Sequence, residues 1–126
     1  MKYELDWTRY YSDNGFHTLI AILTGLPIEE IVAACPDRDR WHGRDFRETL
    51  NKLGFNTNVR FKKFDPETSY PCIMRFKLRG KSEQGTWYCF AYYDGEVQMG
   101  NSSCSLKEWE QMYRRYRITS MLQVWI

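Results

Sequence analysis

Asp13-Asn14-Gly15-Phe16-His17-Thr18-Leu19-Ile20-Ala21-Ile22-Leu23-Thr24-Gly25 is the stretch whose reading decides the fold. Phe16, Leu19, Ile20 and Leu23 fall at i, i+3, i+4 and i+7, and Ile22 and Leu26 fill much of the remaining circumference. A helix apolar on most sides belongs inside a domain, packed against several neighbours. Ser12 or Asp13 can cap its start, and Gly15 admits a close approach there. Helix starts carry free N–H groups and the positive end of the dipole, which is where enzymes set thiolates and bind anions. Here no thiol, hydroxyl nucleophile or histidine occupies that place. The stretch suggests a scaffold more clearly than a chemistry.

Downstream, Leu26-Pro27 opens a second short helix with Pro27 expected at its first position, and Ile28, Ile31, Val32 and Cys35 repeat the apolar spacing until Pro36. Residues 37–40, Asp-Arg-Asp-Arg, read as a charged, solvated bend. Trp41-His42-Gly43 leads into a third helix, with Phe46, Leu50 and Leu53 inward, Arg44, Arg47, Glu48, Asn51 and Lys52 outward, and Gly54 as its stop. His42 in this polar approach reads first as an exposed or capping residue.

From residue 57 the period changes to two. Asn58-Val59-Arg60-Phe61-Lys62 alternates as an edge strand is expected to. After Pro71, the residues Cys72, Met74, Phe76 and Leu78 face one side of a strand and Ile73, Arg75, Lys77 and Arg79 the other. Residues 86–93 are apolar on both faces and read as a central strand, and Asp94-Gly95 turns the chain back through Glu96-Val97-Gln98-Met99. Ser105-Leu106-Lys107-Glu108 has the form of a capping box, and residues 118–126 read as a last strand. Helices first, then an antiparallel sheet with one late helix, predict a single α+β domain over 1–126.

With 126 residues the chain is long enough to bury a core without staples. A formal net charge of +2 is too small to point to nucleic acid or an anionic membrane, and no stretch reaches membrane-spanning length. The four cysteines, Cys35, Cys72, Cys89 and Cys104, contain no CxxC pair, and only His17 and His42 could supplement them, so neither metal nor cofactor is expected. The opening residues lack the apolar run of a signal peptide, so the thiols are expected to be reduced and the setting cytoplasmic. Aromatic content of 17%, with 5 Trp and 9 Tyr, is high enough to supply a recognition surface as well as a core.

Taken in order, these signals resemble the papain-like cysteine peptidase fold, specifically small bacterial and phage domains similar to bacteriocin-processing peptidases. The resemblance covers roughly residues 12–101. It rests on the helix ending Leu-Thr-Gly-Leu-Pro, the Trp41-His42-Gly43 turn before a helix ending Lys52-Leu53-Gly54-Phe55, Pro71-Cys72-Ile73-Met74 at a strand start, and Thr86-Trp87 before an apolar strand into Asp94-Gly95. It implies N-terminal helices packed on an antiparallel sheet. It also implies a nucleophilic cysteine where this chain has Gly15, a histidine where it has Thr86, and an orienting residue that survives as Asn101. The family's oxyanion glutamine has no counterpart among Arg9, Tyr10 and Tyr11. His17 leaves the helix roughly 200° from Gly15 and does not repair the site.

The resemblance therefore implies a retained fold without catalytic residues: a protein- or peptide-binding module, acting as inhibitor, decoy or adaptor, including a phage-type protein that blocks a host factor. Its cleft would be lined by Asn14, Gly15, Trp41, His42, Thr86, Trp87 and Asn101. One alternative is a hydrolase with a non-standard set drawn from Cys35 or Cys72, His42, and Asp37, Asp39 or Asp45. Another is nucleic-acid binding, with Lys107, Arg114, Arg115 and Arg117 on phosphates and Tyr113 and Tyr116 stacked on bases.

Overall fold

A computed structural model describes residues 15–36, 41–80, 87–99 and 102–126. Three helices come first: α1 (Gly15–Thr24), α2 (Ile28–Ala34) and α3 (Gly43–Lys52). Six strands and one helix follow as β1 (Asn56–Thr57), β2 (Cys72–Leu78), β3 (Trp87–Tyr93), β4 (Glu96–Gln98), β5 (Ser103–Ser105), α4 (Leu106–Met112) and β6 (Tyr116–Trp125). The strands form one antiparallel sheet in the order β1-β6-β2-β3-β4-β5. The fold is α+β.

Because successive side chains on a strand point to opposite faces, β2 divides the core in two. Ile73, with Ala91, Leu122 and Val124, meets α1, α2 and α3 through Leu19, Ile20, Leu23, Ile31, Phe46 and Leu50. Cys72, Met74 and Phe76, with Tyr92, Val97 and Met121, meet Trp109 of α4. Helices thus cover both faces, which is why the central strand is apolar on both.

The local signals explain most of the boundaries. Residues Thr18 to Leu23 of α1 are buried consecutively, as expected of a helix enclosed on several sides. Gly25 ends it at φ +72, its N–H donating to the Ala21 carbonyl at 2.8 Å. Pro27 sits one residue earlier than the sequence reading placed it: its ψ of 145° is extended, making it the residue before α2 rather than its first. Asp94 and Gly95 both take positive φ, 49° and 81°, the geometry of a tight primed turn between β3 and β4. The capping box forms as read, with Glu108 N–H donating to Ser105 Oγ at 3.1 Å and Ser105 N–H to Glu108 Oε1 at 3.2 Å.

The expected edge strand at 58–62 is a correction. Only Asn56–Thr57 pairs regularly with β6, and Lys62 makes an isolated bridge to Met121. Between them the Asn58 side chain takes the place of a ladder partner. Its Oδ1 accepts from the Gln123 N–H at 2.7 Å, and its Nδ2 donates to Gln123 Oε1 at 3.1 Å. The backbone there is released from the sheet, and Phe61 packs against Gly43 instead. The sheet also has a strand the sequence does not signal, β5, and β6 begins at Tyr116 instead of residue 118.

A bulge in β6 matters for the site. Arg75 pairs with Ser120 but Phe76 pairs with Ile118, so Thr119 is the extra residue. Its hydroxyl donates to the Arg75 carbonyl at 3.1 Å, satisfying the acceptor that the broken ladder leaves over. The irregularity turns Ile118 to the α4 side and keeps Ser120 beside Arg75.

Candidate functional site

The start of α1, the Trp41-His42-Gly43 turn and the start of β3 all lie on the side of the sheet that carries α1, α2 and α3. Phe16 lies 5.2 Å from Trp41 and His17 6.1 Å from it, centroid to centroid. Trp41 meets Phe46 at 5.0 Å, and Phe46 meets Phe61 edge-on at 6.2 Å. The Arg75 guanidinium then lies 4.2 Å from the Phe61 ring centre and 4.6 Å from that of Trp87. A continuous line of rings and one cation therefore joins the predicted cleft positions Trp41 and Trp87. Gly15 sits exposed at the helix start next to Phe16, while Asn14, Thr86 and Asn101 lie outside the described residues. Trp87, 39% exposed, also carries the buried Lys77 ammonium 5.0 Å over its ring.

Arg75 is held on three sides. Besides its two aromatic contacts, its Nε donates to Ser120 Oγ at 2.9 Å. Burial lowers its pKa, with the Cys89 thiol pulling weakly the other way. No carboxylate among the described residues pairs with it, so it presents a fixed positive charge. Alongside it, Gly43, Arg44, Arg47, Val59, Arg60 and Phe61 enclose a groove of about 390 Å³. Arg44 reaches Glu48 at 3.9 Å in an exposed i,i+4 pair, and Arg47 Nη1 donates to the Val59 carbonyl. The sequence reading had Arg44 and Arg47 together on the outer face of their helix. It missed their convergence with Arg60 and Arg75, which depends on the loop after β1 and on β2.

Among the described residues, Cys72 and His42 of the non-standard catalytic set are not brought together. His42 is exposed and precedes α3, and its backbone N–H donates to Asp45 Oδ2 at 2.7 Å. That bond commits the Asp45 carboxylate, itself only 2% exposed, to capping the start of α3. Cys72 lies on the α4 side of the sheet among Met74, Phe76 and Trp109, whereas His42 belongs to the other layer. Burial pushes the Cys35 thiol up to about 11, with Lys52 opposing weakly. It pushes Cys89 up to about 12 against the pull of Arg75. Cys104 is raised by burial and then by Glu108 and Glu96. His17 is shifted down by burial. Asp37 and Asp39 lie outside the described residues. Among the described residues no group of three or more His, Cys, Asp or Glu side chains could hold a metal ion.

Nor are the two tyrosines of the nucleic-acid reading free platforms. Tyr113 stacks on Trp109 at 5.1 Å and 6°, and Tyr116 packs edge-on to Phe76 at 5.6 Å. Their faces serve the core between α4 and the sheet. No single helix among the described residues is long and apolar enough to cross a membrane.

Cys72 makes the burial testable. It has no exposed surface, and desolvation moves its thiol from 9.0 to about 12. Below pH 9 the thiol is protonated in both states and its contribution is complete. As pH rises from 9 toward 12 only the unfolded chain gives up the proton, so stability falls. The expected loss is about 2 kcal/mol by a pH of about 10.5. Urea midpoints near pH 8 and 10.5 check it: Cys72→Ala, whatever its own cost, should show a smaller drop between the two. An equal drop in both proteins would assign the alkaline effect to other groups.

Compared with protein-family models, with curated proteins and with solved structures, the chain matches none of them.

Proposed function

We propose that this chain is a non-catalytic binding domain with a papain-like arrangement of helices and sheet, and that it holds a segment of a protein partner rather than cleaving it. One observation carries the reading: all four thiols are desolvated with raised pKa, and none stands at the start of α1, where that arrangement would activate a nucleophile. In place of a reactive centre, the face carries the half-buried Trp41 and the exposed Trp87, ring types that anchor protein contacts. A phage-type inhibitor or decoy is one version of this role.

Alkylation of the native protein with iodoacetamide, read per residue by mass spectrometry near pH 7.5, tests the absence of chemistry. Each cysteine is expected to react more slowly than free cysteine. One that reacts faster would be an activated nucleophile and would end the proposal. Selection from a displayed peptide library tests the binding role, since the enriched peptides should lose affinity for the Trp41→Ala and Trp87→Ala variants. Peptides that bind both variants as well as the parent would place the contact elsewhere.

A further inference from the structure

We infer that the groove bounded by Arg44, Arg47, Arg60 and Arg75 is a binding site for the phosphoryl group of a small phosphate monoester. The inference stands whether or not a peptide also lies across the aromatic face. Four arginines from three separate segments line one groove of about 390 Å³. Their only described carboxylate partner is Glu48, 3.9 Å from Arg44, with both side chains largely exposed. A pair of that kind is weak and yields readily to a better anion. Bringing like charges together is unfavourable unless an anion bridges them, and the anion that engages several guanidinium forks at once is a phosphoryl group. A monoester carries about −1.5 to −2 charge at pH 7 and three acceptor oxygens, whereas one carboxylate is satisfied by one fork.

Preorganisation points the same way. The Ser120 hydroxyl and the rings of Phe61 and Trp87 fix Arg75, so little side-chain freedom is lost when it meets a ligand. The Val59 carbonyl likewise positions Arg47. Gly43 keeps the floor open, since a Cβ there would stand 3.2 Å from Phe61 and 3.9 Å from Arg75 Nη1. The groove is compact, and the tyrosines that could have stacked bases are packed in the α4 layer. Those features favour a small monoester over a strand of nucleic acid, which needs an extended basic track with free ring faces.

The test is calorimetric titration at constant ionic strength with inorganic phosphate, O-phosphoserine, glutamate, and a single-stranded oligonucleotide lacking terminal phosphates. Phosphate and O-phosphoserine are expected to bind, with glutamate weaker than either by about tenfold or more. Arg60→Ala removes an exposed side chain at no expected cost to folding and should weaken O-phosphoserine binding about tenfold. Gly43→Val, which leaves every charge in place but fills the floor, should also weaken it. Arg114→Ala, outside the groove, should not. Binding of O-phosphoserine that is unchanged in Arg60→Ala would overturn the assignment. So would no monoester binding at millimolar concentration, glutamate binding as tight as phosphate, or tighter binding of the oligonucleotide.

Discussion

Replacing Trp109 with alanine is expected to remove about 3–5 kcal/mol of folding stability, a large share of what a domain of this size possesses. The helix that carries Trp109, α4, has seven residues, too few to be stable alone, so it persists because it is capped and docked. Trp109 is the anchor of that docking. It is 1% exposed, packs edge-on against Phe76 at 5.0 Å, and stacks on Tyr113 at 5.1 Å. Alanine would leave a cavity between α4 and β2 that neighbouring rings cannot fill without leaving their own contacts. The indole also has a liability: its Nε1 is buried with no hydrogen-bond partner among the described residues. Phenylalanine removes that donor while keeping an aromatic ring, so relief of the unmet bond offsets part of the lost volume. Trp109→Phe is therefore expected to cost less than half of what Trp109→Ala costs. Urea midpoints for the three proteins decide it. A loss below 1 kcal/mol for the alanine variant would mean that α4 is not held by this residue.

What the sequence made legible was local. Helical spacing located α1, α2 and α3, alternation assigned the two faces of β2, and Asp94-Gly95 and Ser105–Glu108 announced their own turn and cap. Each signal lies within a few neighbouring residues and has one physical reading. The segment 58–62 misled because alternation is necessary for an edge strand but not sufficient. There the Asn58 side chain competes successfully for the Gln123 backbone, and nothing within five residues of Asn58 reveals that. The bulge at Thr119 was hidden for a related reason, since only pairing with β2 shows that Ser120 and Ile118 face opposite layers. For the candidate site, the resemblance singled out Trp41 and Trp87, and helical spacing placed Arg44 and Arg47 on one face. Arg60 and Arg75 join them only through tertiary contacts, so no spacing rule brings the four together.

For Ile20→Ala in α1 the expected loss is about 2–5 kcal/mol, while Val32→Ala in α2 should stay within about 0.5 kcal/mol of the parent. Both residues are aliphatic and helical, and the apolar period of the sequence treats them alike. Their surroundings do not. Ile20 is 0% exposed, in the layer formed with Ile73, Leu122 and Val124 of the sheet, whereas Val32 is 48% exposed. Truncating Ile20 opens a cavity where the sheet on one side and the neighbouring helices on the other resist collapse. Truncating Val32 removes surface that water already reaches. Midpoints of urea unfolding, with the slope compared to confirm that the same surface is exposed, separate the two. Equal losses would mean that Ile20 is no more enclosed than Val32. A large gap would establish that α1 is held from its enclosed side at Ile20. That matters for the site as well, because Phe16 in its first turn seats Trp41 and Phe46. The aromatic face is therefore only as well ordered as the buried helix beneath it.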